Sequence, residues 1–201
     1  MIPGTRVGVE HIIGAARREQ FPSEGLPEIA FLGRSNVGKS SLLNCLLGGS
    51  EKGTGQAART SSKPGCTRLI HFYRVEKRVQ FVDLPGYGYA QVPRATAAGW
   101  KHLIESYLSG RRSLVLSILL LDARRGWMEK DLDLKCWLEF HGRRYLVVAT
   151  KTDKLNQSEL HHGLAAIRRE LSGGEPVPFS AVTGRGVREI WQAIWKTQNR
   201  P

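Results

Sequence analysis

The chain has 201 residues, which suffices for one domain with a well-buried core but leaves no room for a second domain of ordinary size. Its 30 Lys and Arg against 18 Asp and Glu give a formal net charge of +12, so a polyanion such as RNA is the favoured kind of partner. The longest apolar run, residues 114–121, has the length of a strand and falls short of the roughly 18 residues of a transmembrane helix, so no membrane span is expected.

The beginning of the chain is basic and lacks the apolar core of a signal peptide. We predict an N-terminal extension over residues 1–22 and a single domain over residues 23–201. Three scattered cysteines, Cys45, Cys66 and Cys136, match neither a metal-binding spacing nor a disulfide framework. Because free thiols suit a reducing compartment, we expect a soluble cytoplasmic protein.

A glycine-rich loop between a strand and a helix is the most informative motif. The apolar run at 28–32 precedes G-R-S-N-V-G-K-S, and an apolar helical segment follows. In the pattern G-x-x-x-x-G-K-[ST], backbone N–H groups and the helix N-terminus face the phosphates, the Lys reaches the β- and γ-phosphates, and the Ser hydroxyl binds Mg²⁺. The predicted nucleotide contacts are Gly33, Arg34, Ser35, Asn36, Val37, Gly38, Lys39, Ser40 and Ser41, with Ser40 as a metal ligand.

The segment after the first helix, residues 48–64, has no periodicity and is rich in Gly, Ser, Thr and Lys. A loop of that length in a compact domain is usually functional or disordered. We interpret it as a switch segment that orders around the nucleotide.

Two strands follow, and only Glu76 and Lys77 separate them, which predicts an antiparallel hairpin. The second strand ends in D-x-x-G. In that motif the carboxylate can hold Mg²⁺ through water and the Gly N–H can meet the γ-phosphate. The predicted contacts here are Asp83, Leu84, Pro85 and Gly86.

The choice of base is predicted by a later strand that ends in T-K-x-D. Guanine offers two N–H donors to the carboxylate of Asp153, whereas adenine would place an acceptor against it. A final short strand ends in Ser-Ala, whose backbone N–H groups can close over the guanine edge. The predicted guanine contacts are Thr150, Lys151, Thr152, Asp153, Phe179, Ser180 and Ala181.

Strands and helices alternate along most of the chain, which favours an α/β fold. We predict three layers around a mostly parallel six-stranded sheet with one antiparallel edge strand. The predicted strands lie near 28–33, 68–75, 78–83, 114–122, 144–150 and 176–179. The predicted helices lie near 39–47, 91–109, 129–140, 157–171 and 186–196.

Taken together, these motifs resemble those of the small Ras-like P-loop GTPases, and most closely the EngB group of ribosome-biogenesis GTP-binding proteins. The resemblance rests on five stretches and covers about residues 20–197. They are residues 29–41, 63–67, 82–90, Trp100 and residues 150–155. The chain departs from the group's pattern at Cys66 and Thr152, where the side chain is not needed for nucleotide contact.

The resemblance implies binding of GTP and GDP with Mg²⁺, and a second metal ligand, Thr67, that joins only when the γ-phosphate is present. It places further nucleotide contacts at Gly65, Cys66, Thr67, Arg68 and Leu69. It also implies a role in ribosome biogenesis, with the large ribosomal subunit or its precursor and rRNA as partners, and a link to cell division and septation. We expect the protein to be a monomer.

The expected reaction is slow hydrolysis of GTP, because Tyr87 follows Gly86 where Ras-like GTPases that orient water themselves carry Gln. The Tyr hydroxyl could replace the Gln, or the ring could stack on the switch. The residues assigned to catalysis are Lys39, Asn36 and Thr67. Asn36 resembles the potassium-coordinating Asn of related GTPases, and the alternative is a residue chosen to tolerate a tight turn.

Two other functions stay open at this point: a non-hydrolysing, guanine-nucleotide-dependent RNA-binding module, and a P-loop ATPase or kinase, against which Asp153 argues. The basic surplus includes five Arg doublets, at 17–18, 111–112, 124–125, 143–144 and 168–169. Any single doublet is typical of a solvated turn or helix end, but together they favour an RNA partner.

Overall fold

The computed structural model describes residues 7–48, 69–87 and 94–198. Within them a seven-stranded sheet forms the middle layer, with strands β1 (Val9–Ala15), β2 (Glu28–Gly33), β3 (Ile70–Val75), β4 (Val79–Asp83), β5 (Leu114–Asp122), β6 (Tyr145–Thr150) and β7 (Val177–Pro178). The helices are α1 (Lys39–Leu46), α2 (Arg94–Gly110), α3 (Glu129–Phe140), α4 (Gln157–Arg169) and α5 (Val187–Gln198).

The strands lie in the order β1-β3-β4-β2-β5-β6-β7. Strand β3 runs antiparallel to both of its neighbours, β1 and β4, and the other strand pairs are parallel. The carboxyl ends of β2, β4, β5, β6 and β7 therefore meet at one edge of the sheet, which is where open α/β sheets bind ligands.

The centre of the sheet is buried on both faces. In β2, Ile29 and Phe31 pack into the layer of α1 and α5, whereas Ala30 and Leu32 pack into the layer of α2, α3 and α4. A strand with helices on both sides needs such a continuous apolar run. The predicted three-layer α/β fold is confirmed. Among the described helices, none has the length and apolarity to cross a membrane.

The sheet has one strand more than the sequence predicted. Strand β1 lies in the segment assigned to an N-terminal extension, and it pairs with β3 from Val9 opposite Val75 to Ala15 opposite Ile70. The antiparallel strand β3 is therefore covered and is not at the edge. A register shift between His11 and Ile13 breaks the alternation of apolar and polar residues, which removes the period-two signal of a strand.

The antiparallel hairpin between β3 and β4 that the sequence predicted is present, but its connection is one residue longer than predicted, since Val75 pairs with Val79 and Arg78 also lies in the turn. Glu76 and Lys77 have φ of +52° and +53°, as a tight hairpin turn requires. The N–H of Arg78 donates to the Val75 carbonyl at 3.0 Å. The N–H of Glu76 donates to the Gly8 carbonyl at 2.8 Å, so the residue before β1 supports a turn that contains no glycine.

A buried ion pair joins the amino ends of the strands to α2. The guanidinium of Arg111 donates to both carboxylate oxygens of Glu28 at 2.6–3.0 Å, and the Tyr107 hydroxyl donates to the same carboxylate at 2.9 Å. The Arg111 side chain is 8% exposed and that of Glu28 is fully buried. The doublet at 111–112 therefore offers only Arg112 to a partner, which corrects its interpretation as two solvated arginines.

The doublet at 143–144 is divided in the same way. The guanidinium of Arg143 donates to the carbonyls of Ser109 and Arg111, so it binds the C-terminal end of α2, where unpaired carbonyls concentrate negative charge. Arg144 is exposed. One arginine of each pair is structural and the other faces solvent.

We expect Arg111→Met to lower the free energy of unfolding by about 3–5 kcal/mol, because it leaves the Glu28 carboxylate buried without its charge partner. Arg112→Met, its exposed neighbour, should change stability by less than about 0.5 kcal/mol. Urea unfolding of both variants measures the difference. Equal, small losses would show that the ion pair does not hold α2 to the sheet.

Candidate functional site

The phosphate-binding loop lies between the end of β2 and the start of α1. Gly38 precedes α1 with φ of +107°, and Asn36 has φ of +62°. The N–H of Val37 donates to the Arg34 carbonyl at 3.2 Å. This compact loop and the N-terminus of α1 form the arrangement of backbone donors that binds phosphate.

The D-x-x-G motif packs directly against the phosphate-binding loop. Tyr87 forms a two-way backbone bridge with it: Ser35 N donates to Tyr87 O at 3.1 Å, and Tyr87 N donates to Gly33 O at 3.2 Å. A Cβ on Gly86 would lie 3.0 Å from the Ser35 nitrogen, so this approach leaves no room for a side chain. The two phosphate motifs therefore share one backbone unit.

Lys39 and Asp83 are the two charged groups that this packing brings together. The Lys39 ammonium forms an ion pair with the Asp83 carboxylate, and both side chains are nearly buried. The pair holds the ammonium next to the D-x-x-G motif. Both groups are thus placed on the side where the sequence predicted the γ-phosphate and Mg²⁺.

Tyr87 has a partner that the sequence did not suggest. Its hydroxyl donates to Asp131 at 2.7 Å, at the start of α3. Burial, reinforced by the Asp131 carboxylate, raises the pKa of the Tyr87 phenol well above its usual range. The phenol is therefore a protonated anchor between the D-x-x-G motif and α3. No motif marks Asp131, and its partner is 44 residues away in the chain.

The T-K-x-D motif holds the phosphate-binding loop from the other side. The buried Thr150 hydroxyl lies 2.6 Å from the Val37 carbonyl and 3.0 Å from the Leu121 carbonyl. The Lys151 ammonium donates to the Asn36 carbonyl at 2.6 Å. Two side chains of the base-recognition motif thus contact the backbone of the phosphate loop.

The Asp153 carboxylate is oriented by a neighbouring hydroxyl and is available as a hydrogen-bond acceptor. The Ser180 hydroxyl donates to its carboxylate at 2.8 Å, and this bond is the main reason why the pKa of Asp153 is lowered. Ser180 in turn accepts the N–H of Val182 and Thr183 at 3.2 and 3.3 Å. The final predicted motif therefore orients the carboxylate, so that an ionised acceptor faces the place predicted for guanine.

Gly186 explains the turn that closes this region. It has φ of +86°, and a Cβ there would lie 2.3 Å from the Pro178 carbonyl oxygen. Only glycine fits at such a distance. The turn brings the chain back so that Arg185 O accepts Ser180 N at 3.2 Å.

Asp122 is a site residue that sequence reasoning missed. Burial would raise its pKa, but hydrogen bonds from Arg124 and Lys151 hold the pKa of this carboxyl far below its usual range. Its carboxylate lies 3.0 Å from the Lys151 ammonium, so it orients that lysine. Its position at the end of β5 was the available signal. A pocket of about 210 Å³ opens beside it, next to Arg34 and Arg125.

The structure thus brings together four predicted segments at the carboxyl edge of the sheet: Gly33–Ser41, Asp83–Gly86, Thr150–Asp153 and Phe179–Ala181. Leu69 precedes β3 and packs beside Gly14. The other predicted contacts, Gly65, Cys66, Thr67 and Arg68, lie outside the described residues together with all of the switch segment after Gly48. Their roles stay predictions.

Known proteins resemble this chain over most of its length. A family model described as "50S ribosome-binding GTPase" matches residues 28–151. The chain is 62% identical over 188 residues to the "Probable GTP-binding protein EngB" of Solibacter usitatus, covering 94% of this chain and 95% of that protein. It is 45% identical over 193 residues to the protein of the same name from Syntrophus aciditrophicus, with 96% of each covered.

Solved structures show the same fold. A crystal structure of a probable GTP-binding protein engB matches with a TM-score of 0.67 at 22% identity, covering 85% of this chain and 98% of that one. Era in complex with MgGDPNP and a segment of 16S ribosomal RNA matches with a TM-score of 0.61 at 25% identity, covering 87% of this chain and 57% of that one.

We expect Asp153→Asn to change the base preference from guanine to xanthine, because an amide donor would meet the xanthine carbonyl. The affinity for GDP should fall by about 10⁴ relative to XDP. Ser180→Ala removes one hydrogen bond that orients Asp153, and it should weaken GDP binding by only about tenfold. Calorimetry with GDP, XDP and ADP measures all three; similar affinities of the unmodified protein for GDP and ADP would contradict the assignment.

Tyr87→Phe tests whether the phenol is an anchor or a water-orienting group. The anchor role predicts a loss of about 1–2 kcal/mol of stability, because the buried Asp131 loses a donor, with GTP turnover changed less than about threefold. A fall in single-turnover hydrolysis of a hundredfold or more at unchanged stability would instead assign the hydroxyl to catalysis.

Proposed function

The chain belongs to the EngB family of P-loop GTPases, and we propose that it acts as a GTP-driven switch in assembly of the large ribosomal subunit. The single observation that carries the proposal is the joining of the phosphate, γ-phosphate and guanine motifs into one hydrogen-bonded unit. The net charge of +12 and the description of the matching family model, "50S ribosome-binding GTPase", support the choice of partner.

Substrate binding follows from groups already in place. Backbone donors of the loop before α1 and the Lys39 ammonium would neutralise the phosphates, and Asp153 would accept the two guanine donors. Ser40, at the start of α1 and half-buried, would offer its hydroxyl to Mg²⁺, and the Asp83 carboxylate would hold the ion through water. These hard oxygen ligands fit Mg²⁺, which when bound would neutralise the negative charge that develops in phosphoryl transfer.

Slow intrinsic hydrolysis is part of the proposal. The residue after Gly86 has its hydroxyl committed to Asp131, so Tyr87 does not supply what Gln supplies in Ras-like GTPases. An external group would then have to complete the site. Either a ribosomal component or a monovalent cation could do so.

A potassium ion bound at Asn36 is one candidate for the group that completes the hydrolytic site. The Asn36 side chain is exposed, while its backbone has the positive φ that Asn tolerates well. Both interpretations of Asn36, cation ligand and turn residue, are therefore compatible with the loop. A cation there could supply positive charge as an arginine finger does.

The switch itself would act through Thr67 and residues 48–64. A contact of Thr67 with Mg²⁺ that depends on the γ-phosphate would order the segment in the GTP form only. The GTP form would then bind the large subunit or its precursor more tightly, and hydrolysis would release it. On this proposal the protein works as a cytoplasmic monomer in ribosome biogenesis. A non-hydrolysing, nucleotide-dependent RNA-binding module is the alternative.

Two substitutions separate the roles of Asn36. Asn36→Gly keeps the positive φ but removes the side-chain oxygen, whereas Asn36→Asp keeps both. Cation coordination predicts that K⁺ accelerates GTP turnover over Na⁺ at matched ionic strength in the unmodified protein and in Asn36→Asp, and not in Asn36→Gly. Equal turnover of the unmodified protein in the two salts, alone and with large subunits, would remove the cation from the mechanism.

The switch is tested by single-turnover GTP hydrolysis and by sedimentation with large ribosomal subunits. We expect subunits to accelerate hydrolysis and the GTP-analogue complex to co-sediment at least about tenfold more tightly than the GDP complex. Lys39→Ala should lose both effects with its nucleotide affinity. Hydrolysis that stays absent with subunits, but with nucleotide-dependent sedimentation, would favour the non-hydrolysing alternative.

A further inference from the structure

We propose that the pole of the domain opposite the nucleotide loops carries a binding surface for single-stranded RNA, formed by Phe140, His141, Arg18, Arg112 and Arg144. We call it the arginine–aromatic surface. The inference rests on the proposed function and names the part of the protein that would contact rRNA. Arg112 and Arg144 precede the amino ends of β5 and β6, whereas the nucleotide motifs follow the carboxyl ends of the strands.

Phe140 is the first observation. It is the last residue of α3 and is 86% exposed. The other exposed large apolar side chains in the described part of the chain, Met128 and Val182, lie beside the nucleotide loops. Phe140 does not, so the nucleotide site gives no account of an aromatic ring held in water.

Two further rings continue from Phe140. The His141 ring meets the Phe140 ring edge-on, with centroids 5.2 Å apart, and lies 4.0 Å from the Trp137 ring. His141 is exposed and Trp137 is half-buried. The half-buried Trp137 therefore supports an exposed pair of rings, an arrangement on which an unpaired base can stack.

The arginines are brought to this pole by the contacts of Arg143. Its guanidinium binds the carbonyls of Ser109 and Arg111, which docks the turn after α3 onto the turn after α2. Arg112 and Arg144 consequently leave the surface from two neighbouring turns. Arg18 joins them, since its guanidinium lies 3.5 Å from where a Cβ on Gly110 would be.

These arginines carry uncompensated charge. Arg18, Arg112 and Arg144 are exposed, and among the described residues none of the three forms an ion pair. Two neighbouring carboxylates are already engaged. Glu139 accepts the hydroxyls of Tyr145 and Ser172 at 2.6 and 2.8 Å, and Glu24 accepts the N–H of Ser113 at 3.0 Å beside Arg111.

Charge and rings together select the occupant. An acidic protein segment would neutralise the arginines but would gain little from the exposed rings. A duplex would offer phosphates with its bases already stacked. Single-stranded RNA offers both phosphates and open base faces, so an unpaired rRNA loop or end is the chemistry that this surface fits.

The test measures binding of a fluorescein-labelled, unstructured RNA of about 16 nucleotides by fluorescence anisotropy across a potassium chloride series. The first variant is Arg112→Glu with Arg144→Glu. Its matched control is Arg188→Glu with Lys196→Glu, which reverses the same number of exposed charges on α5, on the other face of the sheet. Phe140→Ala tests the ring without changing charge.

We expect the Arg112/Arg144 variant to bind the RNA at least about tenfold more weakly, and the slope of log K against log salt to fall by about 1.4, since each lost phosphate contact removes about 0.7. Phe140→Ala should weaken binding about tenfold with the slope unchanged. The α5 control should stay within about twofold of the unmodified protein. Polyglutamate should compete poorly.

The proposed surface would be contradicted by equal losses of RNA affinity in the Arg112/Arg144 variant and its control, or by unchanged RNA affinity in Phe140→Ala. Effective competition by polyglutamate, or no RNA binding by the unmodified protein, would also contradict it. GDP calorimetry on each variant shows that the fold and the nucleotide site are intact. Sedimentation with large subunits separates the two proposals. Surface variants that still bind subunits as the unmodified protein does would reject this surface alone, whereas an unmodified protein that binds no subunits would reject the proposed function.

Discussion

The arrangement of the nucleotide site depends on how the phosphate-binding loop is held from both sides. On one side Tyr87 bridges the backbone of Gly33 and Ser35, and on the other the Thr150 hydroxyl contacts the Val37 carbonyl. Such a loop has few ways to satisfy its own polar groups. The motifs for the γ-phosphate and for guanine supply these bonds, so each positions the loop that binds the other phosphates.

A buried ion pair stabilises the opposite pole of the domain. There the fully buried Glu28 carboxylate at the start of β2 receives Arg111 and Tyr107, and this ion pair ties α2 to the central strand. Because β2 carries the ion pair at one end and the phosphate loop at the other, one strand relates the two poles. The nucleotide site and the exposed arginines therefore lie at opposite ends of one sheet.

The sequence predicted best where local chemistry decides structure. Each nucleotide motif follows the carboxyl end of a strand, so the topology alone brings Lys39, Asp83 and Asp153 to one edge of the sheet. Sequence analysis failed where a partner distant in the chain determines the structure. A bulge hid β1, nothing near Arg111 indicates that its partner is the buried Glu28, and nothing near Tyr87 indicates Asp131. The predicted boundary at residue 22 and the role of Thr67 stay predictions.

The most direct measurement is the affinity of Thr150→Val for GDP, with Thr150→Ser as the control. Val keeps the shape of the side chain but removes the hydroxyl that contacts the Val37 and Leu121 carbonyls. If the T-K-x-D motif holds the phosphate loop, calorimetry should show GDP bound about tenfold or more weakly by Thr150→Val, and near-normal binding by Thr150→Ser. Unchanged GDP affinity in Thr150→Val would contradict the account.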